Sequence, residues 1–456
     1  MATKKQTTTK TTKKNTTNKT QKSIQKNVQK TIKKEAKKAI KKMPIWLIVL
    51  LIVAIAVVYF VWGDQIIPST SNSNSNPQNN YTSVPLTLSE DELSFHFLEL
   101  GTDKTGDSTY IKAGDIDILI DAGATGGSAP TIKEYVNQYC TDGKLEYVIV
   151  THAHRDHYSG FYGNSSKSTN FKNEAIERTG LFYYYEIDTL IDFSQTNNEL
   201  KDGSDYKKYV DARNYAINKG TTHYTAEQCV NQTDNAKAIY QLTPSISMTI
   251  LDNKYYHEKS NDENDHSVCT LFTQATTEGN RNFLLTGDLE EKGEENLIEL
   301  NTLPKVELFK GGHHGSPTSS TDALLNIIQP KHCAVCCCAG SDEYTDNIDN
   351  QFPAQAFIDR IAKYTDKVYV TSLAKYDYND DGKYITTSFT SQNGNIVARS
   401  VTDSFKIECS NNNTILKDSE WFNREIYVIY DGDVPILSDK QTSEKVTRKM
   451  RTWPTY

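Results

Sequence analysis

The sequence predicts a domain of packed α and β layers carried behind one membrane-spanning helix, and three observations lead there. Residues 45–62 read IWLIVLLIVAIAVVYFVW, eighteen positions without a charge. Beyond Leu93 short alternating runs come first and strand–helix units follow, the order expected of layered α/β domains rather than of a bundle or a β-sandwich. Finally, the stretch THAHRDHYSG at 151–160 gathers three of the chain's ten histidines and an aspartate directly behind the apolar run LEYVIV.

Taken in chain order, residues 1–44 hold fifteen lysines and one acid, Glu35, among Thr, Asn and Gln. Such a segment has too little apolar surface to bury and is expected to be disordered. Ile24, Val28, Ile32, Ala36 and Ile40 recur every fourth residue within it, which fits a basic helix on an anionic membrane face or a solvated lysine tail. The apolar run 45–62 has the length of one bilayer span, with Trp46, Tyr59 and Trp62 as interfacial anchors. FVWGDQ behind it offers no small-residue cleavage site, so the span reads as a retained signal anchor. Lysines before it and none in the linker at 63–92 place the N-terminus in the cytoplasm and the rest outside the cell membrane. The linker contains PSTSNSNSNPQNN, a polar tether.

The formal net charge is −8. Because the tail contributes about +14, the remainder carries about −22, a balance that disfavours a non-specific grip on nucleic acid.

The outer domain is expected over 93–400, followed by a small β-leaning extension over 401–456. LSFHFLEL, STYIKA and DIDILID read as antiparallel strands. PTIKEYVNQYC with LEYVIVT begins the strand–helix alternation, continued by KVELFK, TDALLNIIQP, KHCAVCCC, PAQAFIDRIAKY and KVYVTSL. The Asn-, Lys- and Tyr-rich segment 161–245 reads as an insertion near the site. Within it Tyr183 to Tyr185 suggest an edge strand, or a surface for stacking a base or a choline-like cation. DYNDDGKY lacks the closing glutamate of a calcium loop and reads as a hairpin turn. Of eight cysteines, Cys333, Cys336, Cys337 and Cys338 crowd an apolar run and read as small buried hydrophobes; zinc or redox chemistry at the Cys-x-x-Cys is the alternative, and it lacks a second ligand pair.

Chemistry concentrates at 151–157. On an extended segment His152 and His154 lie on one side, where two imidazoles can hold one divalent cation. Asp156 and His157 in the next turn suit a second. A two-cation site activates water at neutral pH and clamps both attacking and leaving oxygens.

With this His-x-His-x-Asp-His order the chain resembles the metallo-β-lactamase superfamily from Leu93 to about Ser400. The resemblance implies an αββα sandwich with the metal site at one edge, and two divalent ions, zinc or alternatively manganese. FLELGTDKTGDSTYIKAGDIDILIDAG is similar to the family's opening hairpins, with Asp121 and Gly123 supporting the site from behind. NFLLTGDLEEKG is similar to its strand-then-Gly-Asp element, which makes Asp288 the bridging carboxylate. KVELFKGGHHGSPTSS resembles the HHGS element of ComEC-type competence proteins, whose domain of this fold acts on DNA, and Asn264 and Ser267 match their Asn-x-x-Ser strand start. It is equally similar to the His-rich turn of surface phosphorylcholine esterases. On those patterns His314 joins His152, His154, Asp156, His157 and Asp288 as a metal ligand, with His313 beside them as proton donor; neighbours on an extended segment point opposite ways, which favours one of the pair as ligand over both. One departure stands out: the usual third histidine of the first metal has no counterpart in a matching context, and His223, His257 and His266 read as ordinary polar residues.

The expectation is therefore a membrane-anchored extracellular metal-dependent hydrolase of a phosphodiester, either DNA or a cell-wall polymer, with no nucleotide cofactor. Asp156 or Asp288 would orient the attacking water and His313 would protonate the leaving oxygen. Two alternatives stay open: a surface binding or sensing module without turnover, and a thioester or lactone hydrolase.

Overall fold

The computed structural model describes residues 91–378, 384–438 and 446–456. Two units divide the chain, Met1–Asn79 and Asn80–Tyr456, and every described residue belongs to the second. The basic tail, the apolar run 45–62 and the linker up to residue 90 lie outside the described residues. Among the described residues no helix is long and apolar enough to cross a membrane.

Two eight-stranded sheets dominate. The first runs, in spatial order, Ser404–Cys409, Ile396–Val401, Leu93–Phe97, Thr109–Ala113, Ile116–Ile120, Lys144–Val150, Glu186–Asp192 and Thr222–Thr225. The second runs Tyr384–Ser391, Val368–Tyr378, His332–Ala339, Leu308–Lys310, Gly279–Leu285, Thr270–Thr276, Ile246–Ile250 and Ile239–Gln241. The opening strands pair antiparallel, Thr109–Ala113 and Ile116–Ile120 through the two-residue turn Gly114–Asp115, whereas Ile116–Ile120, Lys144–Val150, Glu186–Asp192 and Thr222–Thr225 are mutually parallel.

One apolar core joins the sheets: the Phe95 ring meets Phe272 at 5.3 Å edge-on and Phe283 at 4.8 Å. Alternation along His332–Ala339 sends Cys336 into this core and Cys333, Val335 and Cys337 into a second one, the two-faced burial that makes its sequence continuously apolar. That second core holds Leu297, Leu324, Phe357 and Ile358 from helices on the outer side; helices Ser128–Val136, Arg155–Tyr162 and Asp205–Asn218 cover the first sheet through Ile132, Phe161 and Tyr209. Helix, sheet, sheet, helix is the resulting mixed α/β order. All eight cysteines are free thiols, and burial pushes those of Cys333 and Cys338 up to about 12, as buried hydrophobes would behave.

Three expectations need correction. The segment 161–245 is not an insertion, because Glu186–Asp192, Thr222–Thr225 and Ile239–Gln241 are integral strands of the sheets; the last two are outermost, where a half-solvated strand needs few apolar residues. Tyr183 and Tyr184 sit in the one-turn helix Leu181–Tyr184 rather than on an edge strand, with Tyr184 and Tyr185 hydroxyls tied to the Asn137 amide. The hairpin Ile396–Val401 with Ser404–Cys409 also straddles residue 400 and completes the first sheet, while Glu425–Asp431, Val434–Ser438 and Val446–Lys449 form a separate three-stranded sheet that packs Ile426, Val428 and Leu437 into the second core. Strands Val368–Tyr378 and Tyr384–Ser391 pair antiparallel up to Tyr378 and Tyr384; the turn expected between them, 379–383, lies outside the described residues.

Candidate metal centre

The strand Lys144–Val150 ends at the sheet edge, and Thr151 carries the chain over into the helix Arg155–Tyr162. His154 stands at that helix's N-cap in an extended conformation (φ −95°, ψ 146°). His152 and His154 consequently fall on one side, with His152 Nε2 3.0 Å from His154 Nδ1, as the spacing of two predicts. His152 is fully buried, and burial together with its neighbours His157 and His154 holds its imidazole well below the ordinary histidine value. A neutral imidazole is what a cation requires.

His157, three positions on, is clamped from both sides. Its Nδ1 lies 2.8 Å from Asp121 Oδ2 and its Nε2 2.9 Å from Asp288 Oδ2. Asp121 itself occupies the left-handed region (φ 59°) and accepts from the Thr151 amide at 2.8 Å and hydroxyl at 2.7 Å. One carboxylate thus orients both the motif's backbone and its histidine, the supporting role expected of it. Asp288 follows the turn at Gly287 (φ 57°), and its amide donates to Ser267 Oγ at 3.1 Å; the same hydroxyl lies 3.3 Å from His152 Nδ1. Ser267 therefore ties the second sheet to the first histidine.

The turn Gly312–Gly315 delivers the last two histidines. Extended backbone was expected here; instead His313 (φ 43°, ψ 53°) and His314 (φ 55°, ψ 21°) are both left-handed. Two adjacent non-glycine residues in that region are strained, a cost that surrounding contacts must offset and that clusters at functional sites. The side chains still diverge, their rings 5.9 Å apart at 63°. His314 is fully buried; its Nδ1 is 2.9 Å from the Cys336 carbonyl, and its Nε2 lies 3.1 Å from Asp288 Oδ2 and 3.4 Å from Asp156 Oδ2. His313 stands aside at 19 % side-chain exposure, Nδ1 3.0 Å from Glu290 Oε1 and Nε2 4.0 Å from Asp288 Oδ2.

All seven sequence candidates thus converge: His152, His154, Asp156, His157, Asp288 and His314 around one cleft, His313 at its rim. Two participants escaped the sequence reading. Asp107, in TGDSTY, joins His157, Asp288 and His314 as a set whose ligand atoms lie within 4.8 Å of one another. It reaches them because Gly106 lacks a side chain: a Cβ there would sit 2.7 Å from the Ala124 nitrogen and 2.8 Å from the Asp156 carbonyl. Lys310 is the other, buried, with Nζ 2.5 Å from Asp107 Oδ2 and 3.9 Å from Asp288 Oδ1. Burial alone would lower its amine; Asp107 and Asp288 hold it charged. The Gly-Asp-Ser preceding a strand was the available signal for Asp107.

These residues fit divalent cations. Oδ1 of Asp288 is buried and accepts no hydrogen bond, a costly state for a carboxylate oxygen unless a positive charge meets it. Burial would lower the His157 and His314 imidazoles, yet the Asp288 carboxylate, with Asp121 and Asp107 respectively, keeps both well above the ordinary value. The three histidines weighed as a further ligand have other partners: His223 Nε2 lies 2.8 Å from Asp192 Oδ1, His257 Nε2 3.0 Å from Asp252 Oδ1, and His266 Nε2 accepts from the Ser260 amide at 3.1 Å.

Comparison with known proteins agrees with this geometry. The family model described as the metallo-beta-lactamase superfamily matches residues 101–163. The chain is 40 % identical over 68 residues to Recombination protein 2 of Haemophilus influenzae, covering 15 % of this chain and 8 % of that one. It is 32 % identical over 120 residues to Competence protein ComA of Neisseria gonorrhoeae, covering 26 % and 16 %. The chain thus spans under one fifth of the length of these relatives. Among solved structures, the metallo-beta-lactamase fold protein YhfI from Bacillus subtilis aligns over 62 % of this chain and 97 % of its own, at TM-score 0.33 and 10 % identity. Residues 101–163 thus match the metallo-beta-lactamase superfamily model, and stretches of 68 and 120 residues are similar to a recombination protein and a competence protein.

Proposed function

We propose that the protein is a metal-dependent phosphodiesterase, anchored in the cell membrane through 45–62 with this domain outside. The carrying observation is the convergence of Asp156, His157, Asp288 and His314 on one point, with His152 and His154 paired beside it. Divalent cations, when bound, supply Lewis acidity and activate water at neutral pH. His152 and His154 would hold one; Asp156, His157 and His314 the other; Asp288 both, with zinc or manganese as the ions. The Asp156 carboxylate orients the attacking water. His313, held by Glu290, stands 4.0 Å from Asp288 Oδ2 with an exposed edge, placed to give a proton to the leaving oxygen.

Two substrate classes have support. The matched relatives are named for recombination and competence, which favours DNA. A groove of about 830 Å³ opens beside His313's partner Glu290, lined by Asp262, Asp265, Glu291, Glu295 and Asp322 with Lys292 and Arg360; its net negative field disfavours a grip on DNA, which keeps a cell-wall phosphodiester as the second class. Purified protein with added zinc or manganese should cleave bis(4-nitrophenyl) phosphate, and His152→Ala or Asp288→Ala should abolish turnover. Unchanged turnover in either variant contradicts the assignment. Parallel incubation with single-stranded DNA and with teichoic acid ranks the two substrates. A sensing module without turnover is the reading left if wild type binds metal yet cleaves none of these.

A further inference from the structure

Resting on the phosphodiesterase reading, we propose that Tyr344 is a specificity-determining wall of the cleft, stacking a flat ring carried by the substrate. Tyr344 is 54 % exposed, yet its hydroxyl donates to Asp156 Oδ2 at 3.0 Å, which puts the ring at the mouth of the metal centre. Phe352 lies behind it at 5.3 Å and 37°; the Phe352 ring in turn packs 5.6 Å from His313 and 5.8 Å from His314. One aromatic layer therefore runs from the histidine turn to Tyr344, and its last ring is the exposed one.

The loop bearing Tyr344 is held in place. Asp342 and Thr386 bond each other, amide to hydroxyl at 3.1 Å and carboxylate to amide at 3.0 Å. Glu343 Oε2 accepts from the Thr105 amide at 2.9 Å, two residues from Asp107. At the far end the Ala354 amide donates to the Gly315 carbonyl at 2.8 Å, in the histidine turn itself. A ring fixed in this way loses little freedom on contact with a ligand, so its stacking energy appears in affinity. Glycerol- or ribitol-type esters have no flat face to offer it, whereas a nucleobase-type ring does.

The test is calorimetric titration of the full chain, metal-loaded, with thymidine 5′-monophosphate and with glycerol 1-phosphate, alongside turnover of bis(4-nitrophenyl) phosphate. Wild type should prefer the thymidine ligand by about tenfold or more. Tyr344→Phe should keep most of that preference, and Tyr344→Ala and Tyr344→Leu should lose it while glycerol 1-phosphate affinity changes little. A wild type without preference, or a Tyr344→Ala that retains it, overturns the wall while leaving a phosphodiesterase that still turns over bis(4-nitrophenyl) phosphate. Absence of all phosphodiester turnover overturns the underlying reading and this inference with it.

Discussion

Nε2 of His157 lies 2.9 Å from Oδ2 of Asp288 across 131 positions of chain, while its Nδ1 lies 2.8 Å from Asp121 on the opposite side. The imidazole spans a structural carboxylate and a candidate ligand, so its tautomer is set from behind and its Nε2 is offered to the cleft.

Asp121→Asn should therefore weaken metal binding without removing a ligand. An amide of the same shape accepts on one atom only, and the loss expected of such a supporting group is about 10- to 100-fold in affinity. Competition titration against a chromogenic chelator measures it; unaltered affinity would show that His157 is oriented by other contacts.

Lys310→Met should destabilise the chelator-treated protein on the order of 3–5 kcal/mol, since Asp107 is left buried without its 2.5 Å partner. Adding Asp107→Asn should recover much of that loss, because the pair acts as a unit. Urea unfolding of both single variants and the double variant reads the coupling. Strict additivity would mean that the pair contributes nothing as a pair.

A pH effect is expected at Glu99. Burial raises its carboxyl to about 7, against the lowering effect of the Ser391 hydroxyl. With a folded value above the unfolded one, its favourable contribution is complete below about pH 4.5 and is lost as pH rises through about 7. Glu99→Gln should leave the melting temperature near wild type at pH 5 and exceed it at pH 8, by the equivalent of a few kcal/mol (about 1.4 per pKa unit). Equal melting temperatures at pH 8 would refute this.

Much of the centre was legible because its ligands come in local clusters. The order at His152 to His157, the Gly-Asp at Asp288 and the pair His313–His314 each announce themselves within a few residues. Asp107 and Lys310 did not, because an aspartate after a glycine and a lysine inside an apolar strand acquire meaning only by meeting each other across 203 positions. Tyr344 was hidden for the same reason: its role comes from Asp156, 188 positions away. The left-handed turn at His313 and His314 was read as extended, since nothing but tertiary packing makes two successive histidines adopt positive φ. Among the strands, Leu93–Phe97 and Lys144–Val150 were read from their apolar pattern, whereas the outermost Thr222–Thr225 carries THYT and shows no such pattern, its place owed to parallel pairing with Glu186–Asp192.

The most direct measurement is elemental analysis of the purified protein after equilibration with zinc or manganese and desalting, beside His152→Ala, Asp288→Ala and His314→Ala. Up to two equivalents retained by wild type, and a loss in each variant deepest for Asp288→Ala, is the predicted result. Wild type that retains no stoichiometric metal, or an Asp288→Ala protein that retains as much as wild type, would contradict the account.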